Sequence, residues 1–563
     1  MKTNIIYSTV IVLMSFLFSG CMGDLDTEPR DKNELIKEEV YSTTTGYKGV
    51  LAKCYASLIL TGQQGGDGGN RDEIGIDEGY SGFTRALFYL QVASTDEIAL
   101  HSGSGHGTFS MLYMNWDPSN KVMSYPYYRL FMSISYCNEF LRECTEEKLH
   151  SRGLYEEMKD DFLFYRAEAR FIRAYCYSML CDLYGSVPFI DEKMEFSGVP
   201  IQKERKDIYD FVVSELEEVA TDLKDPKTNQ YGRVDKVSAW FLLSRVYLNA
   251  EVWAKENQYE KAYRYAKRVI EEGNYPLAAD YRHIFLADNN TCTEIIWPLV
   301  QDADYAQSSA GTNFMIKALV NGAMNNYYET GIGTKGWGNA RVKTQLVDKF
   351  DLSDQLFDKA DTWGDHKKDK RAQFFTIGHS KETWVEGKGF QKEFNNGYAC
   401  IKWRNVKKDR TELIPGGTTY SSVDFPLFRT ADAYLMAAEA ILRGASGTPS
   451  EALEYVNEVR DRAYMSGKYG TDESGRIDLA DLTLDFILDE RARELYTELI
   501  RRTDLIRFGK YTKGYNWDWK GSDGLAGNYI GKDVDDKYNL FPIPQDEFTV
   551  NPNLVQNPDY AEK

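Results

Sequence analysis

Apolar residues recur along this chain at alternating steps of three and four. Phe162, Tyr165, Ala169, Ile172, Cys176 and Met179 trace one such stripe, while Arg166, Glu168, Arg170 and Arg173 fill the other positions. That spacing puts the apolar set on one face of an α-helix. The same period predicts helices over about 207–223 (Ile208, Val212, Leu216, Val219, Leu223) and 235–253. It predicts others over 427–442 (Leu427, Ala431, Tyr434, Ala438, Ile441), 450–463 (Ala452, Val456, Val459, Ala463) and 482–508.

Short connections such as 225–233 and 444–447 join many of these helices into antiparallel pairs. Pairs stacked side by side resemble a TPR-like scaffold, although the 34-residue consensus of that repeat is absent. Between the pairs lie irregular stretches rich in Gly and aromatic residues: 61–83, 101–120, 301–340, 376–424 and 511–545. Their Trp and Tyr content argues for ordered loops, and loops this long on a rigid frame are where function concentrates. The expected fold is mainly α, a paired-helix scaffold with a large loop-rich region and a few short strands. One strand, near Glu294–Pro298, places Trp297 in the core.

The N-terminus carries an address. Residues 1–21 read MKTNIIYSTVIVLMSFLFSGC, with Lys2 as the positive head and Ile5 to Phe18 as the apolar segment. This matches a secretory signal and falls short of the roughly 20 apolar residues a spanning helix needs. Ser19 and Gly20 ahead of Cys21 resemble a lipobox, in which the Cys is acylated and becomes the new N-terminus. More than one acyl chain gives stable anchoring. The expected division is a signal peptide over 1–20, a lipidated Cys21 with an acidic tether to residue 34, and a single domain over 35–563. Within that domain the scaffold covers about 35–60, 124–272 and 425–510, and the ligand region about 61–120 and 280–424. The acidic run after Cys21 resembles a surface-export signal, so the expected location is the cell-surface side of an outer membrane.

Charge narrows the partners. A net charge of −19 repels phosphate backbones, which disfavours nucleic acid. It also disfavours highly sulfated ligands unless a local basic groove overrides the overall field. The seven other cysteines, an odd number without a CxxC pair, read as free and buried rather than as a disulfide framework or zinc site.

Several motifs fail on context. Gly331–Gly336 matches GxGxxG but follows a polar aromatic run rather than a strand, so it reads as a loop. His101 and His106 have no clustered third ligand, which argues against a metal site. Asp518, Asp523, Asp533, Asp535 and Asp536 could hold Ca2+, but without EF-hand spacing they read as a solvated acidic loop; no cofactor is expected. Glu490 and Glu494 share a helix face as a glycosidase pair would, yet Arg491 and Arg493 beside them favour structural ion pairs.

The remaining candidates are loop aromatics. A pyranose ring lays C–H groups on an aromatic face while its hydroxyls take planar polar partners. Trp337, with Tyr305, Tyr327 and Tyr328, best supplies such a platform. The alternative for Trp337, set between Gly336 and Gly338, is a buried loop anchor.

Ordered segments along the chain resemble the SusD/RagB family of nutrient-binding lipoproteins. They include Leu183-Tyr184-Gly185-Ser186-Val187-Pro188, Gly232-Arg233-Val234-Asp235 and Phe425-Pro426-Leu427-Phe428-Arg429. Asp489-Glu490-Arg491, Asp504-Leu505-Ile506-Arg507-Phe508-Gly509, Leu540-Phe541-Pro542-Ile543-Pro544 and Gln556-Asn557-Pro558 continue the series. The family's final Gly is replaced by Asp559. The resemblance implies a SusD-like fold that binds oligosaccharides, or in some members peptides, without a catalytic centre. It also implies delivery to a SusC-like TonB-dependent outer-membrane transporter, and ligand contacts drawn from the Trp337 region and from the early loops, which here hold Asp67, Asn70, Asp77, Tyr80 and His101. A lipid-anchored glycoside hydrolase and a TPR-type assembly adaptor stand as the alternatives.

Overall fold

The computed structural model describes residues 37–62, 78–100, 107–194, 198–321, 324, 330–332, 336–352, 363, 365, 367–384, 394–413, 418–523 and 529–560. Its frame is an array of seven helices, each packed on the next: Ser124–Glu143, Phe162–Leu183, Arg205–Asp222, Lys236–Leu248, Tyr259–Glu272, Thr430–Leu442 and Pro449–Tyr464. The predicted stripe on Phe162–Leu183 is buried as expected, from Phe162 through Tyr165, Ala169, Ile172 and Cys176. Capping fixes where helices begin. Asp235 accepts from the backbone N–H groups of Val237 and Ser238, and Thr448 accepts from Glu451 N with Pro449 opening the helix.

The chain leaves this array after Glu272 and re-enters it at Thr430. The excursion is closed at its root by two antiparallel strands, Ile295–Leu299 and Phe425–Arg429, both wholly buried. Trp297 lies at this root as expected, fully buried and edge-on to Phe171, Tyr175 and Phe428. A second ribbon, Ile98–Leu100 against Ala340–Val342, ties the early loop region to the excursion. All seven described cysteines are buried free thiols. No helix among the described residues is long and apolar enough to cross a membrane.

Two helices end sooner than periodicity predicts. The 235–253 segment breaks at Asn249, leaving Lys236–Leu248 and a short Ala250–Trp253 turn. The 482–508 segment splits into Leu484–Leu495 and Arg501–Arg507, with Thr497 and Leu499 in the left-handed region. Tertiary bonds hold that break: Thr497 N–H donates to Glu97 Oε2 at 3.0 Å and Trp403 Nε1–H donates to Thr497 Oγ1 at 2.9 Å. An apolar stripe reports the buried face but is blind to such distant partners.

Buried ion pairs knit the root to the frame. Arg429 donates to Glu294 (2.8 Å), Glu494 (2.6 Å) and Glu498 (2.6 Å). Arg462 bonds Glu294 and Glu494, and Arg371 bonds Glu490 at 2.7 Å and Glu494 at 3.2 Å. Despite burial, this cage of guanidinium groups holds the Glu490 and Glu494 carboxyls well below the usual carboxylate range. Glu494→Ala takes one carboxylate from each of three buried arginines that keep other acidic partners, so we expect it to lower unfolding stability by about 3–5 kcal/mol. Denaturant titration checks this, and Glu494→Gln, which keeps some of the hydrogen bonds, should cost less.

Candidate ring-lined binding site

The helix Gly311–Leu319 organises the site. Gly311 takes φ +60, and a Cβ there would run into the Gln301 side chain. At the other end the helix leaves carbonyls without intrahelical partners. The Gly336-Trp337-Gly338 segment supplies them. Trp337 N–H donates to Lys317 O at 2.6 Å, Asn339 N–H to Ala318 O at 2.9 Å and Gly338 N–H to Val320 O at 2.8 Å. A Cβ at Gly336 would overlap Val320 O, and Gly338 takes φ +64 against Asn321. Both glycines are therefore dictated by the close approach to the helix end.

Trp337 is not the buried loop anchor of the second expectation. Its backbone is anchored, while its indole stays 42% exposed. The ring sits 6.4 Å from Phe314 at 52°, with Lys317 Nζ 5.6 Å from its centroid. Phe314 in turn packs against Phe88 (5.3 Å) and Tyr89 (5.8 Å).

Phe314 also links Trp337 to Tyr80. The Arg85 guanidinium lies 4.7 Å over Phe314 and 3.9 Å over Tyr80, and its Nε–H donates to Tyr89 Oη at 2.9 Å. Arg85 makes no ion pair among the described residues. Its guanidinium is held instead by stacking on aromatic faces. Tyr80 is half-buried in the short helix Glu78–Ser81, near Tyr89 and Tyr125. Arg85 was not among the residues singled out in the sequence, although its four-residue offset from Tyr89 was the available signal.

Tyr305 stands apart, 91% exposed on a tight turn ahead of the same helix. Asp302 Oδ1 accepts from Asp304 N–H and Tyr305 N–H, both at 2.8 Å. The turn hangs on the 418–424 segment: Gln301 N–H donates to Asp424 Oδ1 at 2.8 Å and Ala303 N–H to Ser422 Oγ at 3.1 Å. Asp67, Asn70, Asp77, His101, Tyr327 and Tyr328 lie outside the described residues.

The acidic loop is solvated as expected at Asp523, Asp533, Asp535 and Asp536, which are exposed, and departs from that reading only at Asp518. Asp518 is buried and accepts from Thr344 (3.1 Å), Gln345 (2.8 Å) and Thr383 (3.1 Å). Asp533 accepts from Gly514 N–H, Asp535 from Lys537 N–H, and Asp536 from Thr512 and Lys513, while Asp523 is exposed. These carboxylates stabilise turns and tie segments together. No group of three or more metal-ligating side chains forms among the described residues.

The helical array thus carries a cluster of rings drawn from the 78–89 segment and from the excursion. The SusD family model matches residues 293–560. The chain is 32% identical to Starch-binding protein SusD of Bacteroides thetaiotaomicron, over 98% of both chains, and it belongs to the SusD family. It is 23% identical to a SusD-like protein of Bacteroides ovatus, over 70% of this chain and 67% of that one. Among solved structures, a SusD superfamily protein from Bacteroides vulgatus superposes with a TM-score of 0.66 at 20% identity, over 92% of this chain and 100% of that one. Surface glycan-binding protein A of Bacteroides thetaiotaomicron, in complex with laminarihexaose, superposes with a TM-score of 0.65 at 18% identity, over 91% and 99%.

Burial raises the Asp424 carboxyl to about 6, against the opposing hydrogen bonds from Tyr231 and Gln301. The native state then holds a proton that the unfolded chain releases from about pH 3.8 upward, so this group's stabilising effect is greatest in acid and lost as pH rises through about 6. We expect Asp424→Asn to gain in melting temperature relative to the parent as pH is raised from 4 to 7, read by calorimetry across that window.

Proposed function

We propose that this protein is a lipid-anchored surface binding protein that captures oligosaccharides on the platform of Trp337, Tyr80 and Arg85 and passes them to a SusC-like TonB-dependent transporter. The observation that carries this reading is the Trp337 ring, held rigidly by its backbone on a helix end while its face stays open to solvent. A pyranose stacks on such a face at little entropic cost, because the ring is already placed. Arg85, over the Phe314 and Tyr80 rings of the same cluster, is a donor for hydroxyl groups, and Tyr305, exposed on its separate turn, offers a further ring. Two relatives support glycan as the ligand class: one is named as starch-binding, and one was solved with laminarihexaose.

The protein binds and does not turn over its ligand. The carboxylate pair that shares a helix face, Glu490 and Glu494, is fully buried among arginines and has no access to a substrate. Cys21, acylated after signal removal, supplies the membrane attachment.

A panel of α- and β-linked oligosaccharides titrated into the soluble form beginning after Cys21 tests this reading by calorimetry. We expect micromolar-to-millimolar affinity for at least one member, with no release of reducing ends. Trp337→Ala should weaken that binding about 10- to 100-fold, and full affinity in this variant removes Trp337 from the site. In cells, Cys21→Ala should move the protein from the membrane fraction to the soluble fraction.

A further inference from the structure

A second concavity lies on the helical frame and shares no residue with the ring platform. It is a cleft of about 880 Å³ walled by Arg205, Lys255, Arg443, Phe508, Lys537 and Leu540, among others. Two of these residues, Arg205 and Leu540, pack against the Tyr184-Gly185 turn. A Cβ at Gly185, which takes φ +76, would lie 3.1 Å from Leu540 Cδ1 and 3.7 Å from Arg205 Cδ.

The lining is cationic in a chain of net charge −19. Behind it runs a ladder of buried ion pairs. Arg245 and Arg491 share Asp432, Arg491 and Arg507 share Asp504, and Arg507 and Arg443 share Glu439. Four guanidinium groups thus meet three carboxylates, and the surplus charge falls at the cleft end, on Arg443. Arg443 Nη2 is buried and finds no hydrogen-bond acceptor among the described residues. Arg205 donates to the backbone carbonyls of Cys181 (2.9 Å), Val252 (3.5 Å) and Asp182 (3.5 Å), and to no carboxylate.

At the rim, Lys255 and Lys537 form no ion pair with any described residue. The acidic lining is partly committed: Glu251 accepts from Tyr259 Oη, and Asp536 pairs with Lys513, while Asp559 is exposed. The positive field of Arg205, Arg443, Lys255 and Lys537 is therefore available to a guest.

We propose that this cleft is a second binding site, selective for carboxylate-bearing oligosaccharides such as oligouronates. Its volume falls within the range of about 300–1,000 Å³ typical of small-ligand pockets, whereas protein partners bind across flatter surfaces of about 800 Å² per side. Phe508, Val252 and Leu540 offer apolar faces for sugar rings between the cations, which take the carboxylates. A local basic groove of this kind overrides the repulsion of the acidic surface at short range, within about a Debye length.

Calorimetric titration of the soluble chain with trigalacturonate and, as the neutral control, maltotriose tests the proposal. We expect trigalacturonate to bind, more weakly at high salt. We expect the double variant Lys255→Gln/Lys537→Gln, both at rim positions outside the core, to bind it about tenfold less tightly. Trp337→Ala should leave this affinity unchanged. If trigalacturonate does not bind, if the double variant binds it undiminished, or if Trp337→Ala abolishes it, the cleft assignment falls. Tighter binding of a hexaglutamate peptide than of trigalacturonate overturns the ligand class. Loss of every neutral ligand, with trigalacturonate binding still dependent on Lys255 and Lys537, sinks the ring platform and leaves this site standing.

Discussion

The structure depends on a buried lattice of arginines and carboxylates at the place where the excursion leaves the helical array. Glu294 precedes one root strand, Arg429 ends the other, Arg462 comes from the last array helix, and Glu494 and Glu498 come from the segment that follows it. Hydrophobic contact alone joins surfaces without regard to register. Fork-shaped guanidinium groups meeting carboxylates in a dry interior accept essentially one arrangement, because each unmet charge is costly to bury. The lattice thereby sets the angle at which the loop-rich half stands on the scaffold. Everything the ring platform presents inherits that angle.

How far this was legible in the sequence varies with the range of the interaction. The array helices follow from local periodicity, and Phe162–Leu183 buries the face its spacing implies. Glu490 and Arg493, three residues apart, do pair as a local reading suggests. Arg491, however, turns to Asp432 and Asp504, and Glu494 reaches Arg371, Arg429 and Arg462 on other segments. Spacing along a helix shows which side chains are neighbours, but not which distant charge will win the competition for them. The break at 496–500 has the same origin, since its partners Glu97 and Trp403 are remote in sequence.

The site divides in the same way. Trp337 was visible as an aromatic between two glycines, a pattern that marks its anchored backbone but does not tell that the residue stays exposed. Arg85 was hidden because its partners come from three places: Tyr80 before it, Tyr89 one turn on, and Phe314 from the far side of the fold. A cation whose role is defined by rings from separate segments leaves little trace in any one of them. The basic cleft is harder still to read, because its lining is gathered from Arg205, Lys255, Arg443 and the last thirty or so residues in a chain that is acidic overall.

The excursion's two ends lie side by side as the strands Ile295–Leu299 and Phe425–Arg429. With its stem already closed, altering the length between them changes closure entropy only logarithmically, by about 0.6 kcal/mol per doubling. The excursion's exposed loops can take insertion and deletion, provided that Arg371 and Trp403 keep their bonds to Glu490, Glu494 and Thr497 beneath. A lineage faced with a new polymer can therefore retool the mouth of this protein without rebuilding its body.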